Sequence, residues 1–302
     1  MGCSVLALAI IFQAMFSTSS LPMPARFAGE LPAAFPPPEM SLIQIPTGVT
    51  HRSASFAYRG GSYFDKRDFG MNALLVKHPR GDLLIDTGFG RRIDTQIRTM
   101  PLFFRAVTSY QRARSAAEQL DAVGYDRKNL RAILLTHAHW DHVSGVCDFP
   151  ETPVWVTREE LRFIQDGGWL TALIRGFPGV RYEEYEFEGG DYLGFPRSHD
   201  VYGDGAIVVA GAPGHTPGSV VVFLALPNGK RYAAIGDLVY QREGLIHRIE
   251  RPWLQRILGD WDAAQVREQL LHMAAIGERF PEIGILLAHD SRGLEGVPKL
   301  EC

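Results

Sequence analysis

The sequence has 302 residues, of which 46% are hydrophobic and 11% are aromatic. A chain of this composition can bury a full core, which excludes a disordered protein, a coiled coil and a disulfide miniprotein. The formal net charge of -3 gives no strong attraction to nucleic acid or to an anionic membrane surface. Cys3, Cys147 and Cys302 lie too far apart to form a disulfide framework or a Cys-x-x-Cys metal knuckle. We therefore expect one large globular domain that binds no nucleic acid.

Residues 1–20 resemble a secretory signal peptide. The run at 5–16 is nearly all apolar but shorter than the ~20 residues of a membrane-spanning helix, and a polar run of Ser and Thr follows it. No Lys or Arg precedes this run, and Met15 and Met23 are alternative starts for the chain. Residues 21–40 contain six prolines and predict an extended leader without a core of its own. If the first segment is a signal peptide, the mature protein has no membrane span and is periplasmic or secreted; otherwise it is cytoplasmic.

Residues 41–302 form the predicted folded domain, in which short apolar runs outnumber helical patterns. Strands are predicted at 72–77, 83–86, 131–135, 154–156, 220–224, 232–235 and 285–289. Asn228-Gly229 predicts a hairpin between two of them. Apolar residues at helical spacing predict helices at 116–123 and 262–280. Many strands with helices interspersed favour two packed sheets with helices outside.

The candidate chemistry is concentrated after the strand at 131–135, where the chain continues Thr136-His137-Ala138-His139-Trp140-Asp141-His142. In an extended segment His137 and His139 point to the same side, so both imidazoles can reach one cation. A turn after His139 can direct Asp141 and His142 towards a second cation. So dense a run of nitrogen and oxygen ligands after a buried strand is poorly explained as an ordinary polar surface. The segment therefore predicts a pair of metal sites.

Three further candidate ligands follow along the chain. His215 lies in a tight loop of Gly and Pro, where a rigid backbone can aim the side chain. Asp237 follows a strand, and a carboxylate there can bridge two cations with its two oxygens. His289 ends another buried strand. Taken singly, each of these residues is also compatible with a turn or a core position, but their joint occurrence favours metal ligation.

Together these motifs resemble the metallo-β-lactamase-fold hydrolases, from about Ser41 to His289. The resemblance implies an α/β fold, an αββα sandwich of two mixed β-sheets flanked by helices, with the metals at one edge of the sheets. It implies two Zn²⁺ ions. One would be bound by His137, His139 and His215, the other by Asp141, His142 and His289, and Asp237 would bridge them. Other divalent metals, such as iron or manganese, remain alternatives at the same ligands.

Asp86 matches the acidic residue that follows an early strand in this family, where it orients a ligand histidine from outside the coordination sphere. A turn aspartate bonded to local amides is the alternative. Two cations ~3.5–4 Å apart lower the pKa of a bridging water and polarise the carbonyl that it attacks. The resemblance therefore implies hydrolysis by a metal-bridging hydroxide.

Tyr240 stands three residues after the bridging aspartate, an arrangement that resembles the N-acyl-homoserine lactonases of this superfamily. There the phenol donates a hydrogen bond to the substrate carbonyl oxygen. We therefore expect a lactone substrate, with Asp141, Asp237 and Tyr240 as the catalytic residues; plain core packing of the tyrosine is the alternative.

Other activities share the same ligand set. A glyoxalase II-like thioester hydrolase is the main alternative, although no basic cluster in residues 290–302 matches a glutathione-binding end. The β-lactamases with a similar motif usually lack the bridging carboxylate, and a non-catalytic metal-binding homologue would have lost ligands. The apolar segments 100–104 and 169–174 fit an acyl-chain channel, a subunit contact or ordinary helix packing. The sequence makes no prediction of the oligomeric state.

Overall fold

The computed structural model describes residue 17 and residues 19–301. Most of the predicted signal peptide therefore lies outside the described residues, as do Cys3 and Cys302. Within the described part of the chain, no helix is long and apolar enough to cross a lipid bilayer.

The strands in the described residues form two sheets. Their bounds are β1 Ser41–Ser53, β2 Lys66–Lys77, β3 Asp82–Ile85, β4 Ser109–Arg112, β5 Leu130–Leu134, β6 Val154–Val156, β7 Tyr182–Glu184, β8 Ser198–Asp200, β9 Ile207–Gly211, β10 Val220–Ala225, β11 Arg231–Ala234 and β12 Ile283–Leu286.

The α-helices of the described chain are mostly short. Their bounds are α1 Ala54–Ala57, α2 Ile93–Gln96, α3 Leu102–Val107, α4 Ala116–Ala122, α5 Trp140–Val143, α6 Arg158–Asp166, α7 Ala172–Arg175, α8 Arg242–Ile246, α9 Trp253–Gly259 and α10 Ala263–Arg279. Short 3-10 helices lie at Ile97–Thr99, Arg127–Asn129, Val146–Asp148 and Ser291–Leu294.

Both sheets are mixed, as expected from the sequence. The first has the strand order β4-β1-β2-β3-β5-β6-β7; its first four strands pair antiparallel, and β3, β5, β6 and β7 run parallel. The second has the order β12-β11-β10-β9-β8, in which β11 and β12 are parallel and the other pairs antiparallel. The predicted hairpin at Asn228-Gly229 is confirmed, since it joins β10 to β11.

Three apolar clusters hold four layers together. Leu83 of the first sheet and Val222 of the second belong to the central cluster between the sheets. Leu84, the next residue of β3, belongs to an outer cluster with Leu120 of α4. On the other side, the outer face of β10 packs with Leu270 of α10. Since successive strand residues point to opposite faces, strands buried on both faces are apolar throughout. The result is the predicted αββα sandwich.

Residues 21–40 cross the surface of this sandwich without forming a helix or a strand. Ser20, just before them, pairs with Ile249 in an isolated antiparallel bridge. The ring centroid of Phe27 lies 5.8 Å from that of His272 in α10. The predicted extended leader is thus packed against the helix layer of the second sheet.

The loops that carry the predicted site residues all leave one edge of the two sheets. Asp86 follows β3, the segment 136–142 follows β5, and Asp237 and His289 follow β11 and β12. These four strands end at the same edge because β3 runs parallel to β5 and β11 runs parallel to β12. His215 lies in the loop that joins β9 to β10. The topology therefore gathers five separate chain segments at one site.

Candidate metal centre

The first group of candidate ligands comprises His137, His139, His215 and Asp237. One ligand atom from each lies within 4.8 Å of the others, and all four side chains are buried. Nδ1 of His139 lies 2.9 Å from Nε2 of His215. Oδ2 of Asp237 lies 3.7 Å from Nε2 of His137 and 3.5 Å from Nε2 of His215. These atoms converge as the ligands of a single cation do.

The second group comprises Asp141, His142 and His289, whose ligand atoms also lie within 4.8 Å of one another. Nε2 of His289 lies 3.5 Å from Oδ2 of Asp141. Oδ1 of Asp237 lies 3.1 Å from Nε2 of His142 and 3.0 Å from Nε2 of His289. The fold thus brings together all seven residues that the sequence indicated, and the two oxygens of Asp237 face different groups.

The donor atoms of the first group fit a metal ion. The Nε2 atom of His137 is buried and has no hydrogen-bond partner among the described residues, and Nδ1 of His139 faces only the neighbouring imidazole of His215. A buried polar atom without a partner costs ~1–3 kcal/mol. Burial lowers the pKa of His137 and of His139 well below the ordinary value, which keeps them neutral and able to bind a metal. Imidazole nitrogens combined with carboxylates suit Zn²⁺.

The second group has the charge pattern of a cation site. Burial lowers the pKa of His142, but the carboxylates of Asp237 and Asp86 raise it by more, so the net shift is well upward. Burial also lowers the pKa of His289, and Asp237 again reverses the direction. Burial raises the pKa of Asp237, yet His289 and His142 hold it well below the ordinary value. A divalent cation bound here replaces the imidazole protons as the positive partner of this carboxylate.

Two of these imidazoles are oriented from behind by acceptors. Nδ1 of His142 lies 2.7 Å from Oδ2 of Asp86. The same oxygen accepts a bond of 2.7 Å from the hydroxyl of Thr136, and Oδ1 accepts one of 2.8 Å from the Thr136 N–H. Nδ1 of His289 lies 2.9 Å from the carbonyl oxygen of Gly70, so this nitrogen carries the proton and Nε2 is left for a ligand. Asp86 therefore occupies the place that the family resemblance implies.

Asp260 does the same for His215, although the sequence analysis did not single it out. Its Oδ1 lies 2.8 Å from Nδ1 of His215. Nη2 of the buried Arg251 lies 2.7 Å from the same oxygen, and Nη1 donates to the carbonyl oxygen of Asp237 at 2.7 Å. The guanidinium carbon also lies 4.5 Å from the ring centroid of Tyr240. The buried pair of Arg251 and Asp260 thus contacts two candidate ligands, His215 and Asp237, and lies beside the candidate catalytic Tyr240.

Glu160 is a second residue that sequence analysis missed. Its buried carboxylate accepts bonds from the N–H groups of Ala138 at 2.6 Å and Gly218 at 3.0 Å, and from the hydroxyl of Thr216 at 2.6 Å. Burial raises its pKa to about 7, although these bonds act in the opposite direction. The carboxylate therefore joins the loop of His137 and His139 to the loop of His215.

Tyr240 lies between the two groups of ligands. Its ring centroid is 6.3 Å from that of His215 and 5.6 Å from that of His289, and the ring stacks on Phe56 at 5.9 Å. A Cβ at Gly259, the last residue of α9, would fall 3.7 Å from the phenol oxygen, so this helix end borders the site. Burial raises the pKa of the phenol, which keeps the hydroxyl a hydrogen-bond donor at neutral pH.

Residues 67–278 match the family described as the metallo-beta-lactamase superfamily. The chain belongs to this superfamily, and it is a metallo-hydrolase. It is 31% identical over 232 residues to a probable metallo-hydrolase of Mycobacterium tuberculosis, covering 72% of this chain and 74% of that protein. It is 26% identical over 176 residues to the N-acyl homoserine lactonase AttM of Rhizobium radiobacter, covering 55% of this chain and 64% of that protein.

Solved structures show the same fold. An N-acyl homoserine lactone hydrolase with the product N-hexanoyl-L-homoserine bound superimposes with a TM-score of 0.66 at 19% identity, covering 83% of this chain and 93% of that one. Another quorum-quenching N-acyl homoserine lactone lactonase gives a TM-score of 0.65 at 18% identity, over 88% of this chain and 96% of that one. The predicted resemblance to lactonase-like members of the superfamily is confirmed.

Proposed function

We propose that this protein is a dinuclear zinc hydrolase that opens a lactone ring of the N-acyl-homoserine lactone kind. The observation that carries the proposal is the orientation of Asp237. One carboxylate oxygen faces His137 and His215, whereas the other faces His142 and His289. A single side chain shared in this way fits two adjacent cations and not one. The names of the lactonase relatives and the position of Tyr240 support the choice of substrate.

The seven ligands would hold two zinc ions, which would supply an activated water near neutral pH and would polarise the substrate carbonyl. Tyr240 directs its hydroxyl to the carbonyl oxygen and donates a hydrogen bond as negative charge develops there. Asp141 is the most exposed of the seven ligands, with 11% of its side chain accessible. From that side its carboxylate can accept the proton that the attacking water gives up and pass it to the ring oxygen that leaves as the lactone opens.

The test combines metal analysis with a substrate panel. Purified protein is expected to carry close to two zinc ions per chain and to hydrolyse an N-acyl-homoserine lactone faster than a thioester or a β-lactam. Faster thioester cleavage would establish the glyoxalase II-like alternative. Two bound ions without turnover of any substrate would identify a non-catalytic homologue. Iron or manganese in place of zinc would correct the metal and leave the reaction class unchanged.

A substitution separates the bridging role of Asp237 from a purely structural one. Asp237→Ala is expected to lose one of the two ions and all measurable turnover, because both cations share this carboxylate. Asp166→Ala, at an exposed position near the end of α6, is the matched control and should retain both ions. A variant at Asp237 that still binds two ions would contradict the bridging role.

The location of the protein is part of the same proposal. We infer that residues 1–20 are removed on export, that 21–40 remain as the leader, and that 41–302 form the catalytic domain of a periplasmic or secreted enzyme. Amino-terminal sequencing of protein from its native host, after cell fractionation, tests this inference. A chain that retains Met1 in the cytoplasmic fraction would refute export.

A further inference from the structure

Two short helices border the metal centre and are not accounted for by the hydrolytic site. Phe104 of α3 packs against Trp140, the residue that follows His139, with 5.5 Å between ring centroids. Trp261, two residues after α9 ends, donates its backbone N–H to the carbonyl oxygen of His215 at 3.0 Å. Both helices therefore adjoin loops that carry candidate ligands.

The outer surfaces of these helices are apolar and exposed. Neither α3 nor α9 contains a buried residue. Of the fourteen large hydrophobic side chains that are exposed in the described chain, eight lie on or directly after these two helices. We call these eight the apolar rim: Leu102, Phe103, Val107, Trp253, Leu254, Ile257, Leu258 and Trp261. Single exposed apolar residues are common, but a concentration beside an active site indicates a binding surface.

Positive charge is concentrated next to the rim. The segment 91–114, which includes α3, contains six arginines and one aspartate, although the whole chain has a net charge of -3. Two of these arginines form ion pairs, with Asp121 and with Glu118. Arg98, Arg105 and Arg114 are exposed and form no ion pair with any described residue. The net charge of the whole chain predicted only weak attraction to polyanions. The structure nevertheless has a local basic surface at residues 91–114.

This combination identifies the chemistry of the partner. Arg105 lies on the same short helix as Leu102, Phe103 and Val107, whose exposed fractions are 78%, 54% and 70%. Apolar side chains that enter the acyl boundary, with cationic side chains at headgroup level, are typical of interfacial helices. Nucleic acid can stack bases on the aromatic side chains but offers no apolar medium for Leu102 and Val107, and a second copy of this surface would bring like charges together.

We propose that the apolar rim and its arginines dock this protein on an anionic lipid surface, with the metal centre beside the bilayer. The neighbouring Arg52 connects the two regions. Its guanidinium donates to the carbonyl oxygen of Val107 and to the hydroxyl of Thr108, and lies 4.8 Å from the ring centroid of Phe56, which stacks on Tyr240. A series of contacts through Arg52 and Phe56 therefore connects α3 to the candidate catalytic tyrosine.

Vesicle binding by the purified protein tests the proposal without any substrate, so it can fail independently of the proposed lactonase activity. Co-sedimentation is measured with phosphatidylcholine vesicles, with and without phosphatidylglycerol. We expect retention on the anionic vesicles that weakens as salt is added. Arg98→Gln combined with Arg105→Gln should weaken partition about fivefold for each arginine removed. Leu102→Ser combined with Phe103→Ser should weaken it about tenfold or more.

The control combines Phe35→Ser with Arg158→Gln. Both residues are exposed and lie outside the rim, so this variant should bind vesicles as the unchanged protein does. Thermal unfolding and metal content of each variant show whether it is folded. The proposal is wrong if the unchanged protein ignores anionic vesicles or if the folded rim variants bind them normally. It is also wrong if the rim variants abolish only self-association, measured by analytical ultracentrifugation, because the rim is then an interface between copies of this chain.

Discussion

Asp260 accepts a hydrogen bond from His215 at 2.8 Å and thereby determines which nitrogen of that imidazole faces the metal centre. With the proton held on Nδ1, the lone pair of Nε2 points towards Asp237. The carboxylate also makes the imidazole a stronger donor to a cation. Arg251 compensates the charge of Asp260, which is fully buried and would otherwise be costly to retain.

Replacing Asp260 with Asn tests this relationship. The amide keeps the shape and an acceptor oxygen but removes the negative charge, so metal affinity should fall about 10- to 100-fold. Competition with a chelator measures the affinity. Asp262→Asn, two residues away at the N-cap of α10, is the matched control and should leave it unchanged. Equal affinities in the two variants would assign Asp260 a structural role only.

Tyr240→Phe tests the proposed oxyanion donor. The change removes one hydroxyl that acts mainly in the transition state, so kcat for the lactone should fall about tenfold or more while metal content stays constant. Tyr232→Phe is the control, because that hydroxyl lies on β11 and contacts the carbonyl oxygen of Gly296 instead. Full turnover in the Tyr240 variant would show that the phenol only packs.

Glu160→Ala should destabilise the protein more than any exposed charge removal nearby. The change leaves three buried donors without their acceptor, at ~1–3 kcal/mol each, so the free energy of unfolding should fall by about 3 kcal/mol or more. Glu159→Ala, the adjacent residue, removes only an exposed ion pair with Arg197 and should cost under about 1 kcal/mol. Urea unfolding of both variants provides the comparison; similar midpoints would refute the role.

The lowered pKa of Glu243 predicts that the protein loses stability in acid. The hydrogen bonds from Arg292, together with Arg67, lower the pKa of Glu243 from 4.5 to about 2. Because the folded-state pKa is the lower one, the stabilisation is complete above about pH 4.5 and is lost as the pH falls towards 2. The stability difference between the unchanged protein and Glu243→Gln should shrink across this range. Glu268→Gln, at an exposed position, should show no such trend; a constant difference for Glu243→Gln would contradict the assignment.

The fold was predictable where the pattern along a strand is unbroken. The runs at 220–224 and 232–235 fall in the strands β10 and β11, because full burial on both faces requires apolar residues throughout. β1 was not predicted. Pro46 and Gly48 interrupt its alternation, and the structure accommodates them in a register shift against β2. The strand order within each sheet is set by long-range pairing, which no local pattern in the sequence indicates.

The candidate ligands were predictable because their residue types carry the chemistry, whereas their supports were not. Asp260 and Arg251 flank a short helix whose apolar side chains are exposed in the structure, so its pattern does not mark them as buried. The role of Glu160 could not be predicted for a different reason, which is that its position matches a common helix pattern. With Thr157 three residues before it, Glu160 resembles part of an N-terminal helix cap, and Thr157 does accept its backbone N–H. The carboxylate instead turns towards the ligand loops, which no spacing rule predicts.

The bridge between Ser20 and Ile249 has a practical consequence for protein production. Ile249 lies four residues before α9 begins, so the amino-terminal end of the described chain lies close to the α9 part of the apolar rim. A fusion partner or affinity tag attached at this end would project beside the surface that is to be measured. Recombinant protein for vesicle and kinetic work should therefore begin at Ser20 or Leu21 with no added residues, and any fluorophore is better introduced at an exposed site such as Phe35.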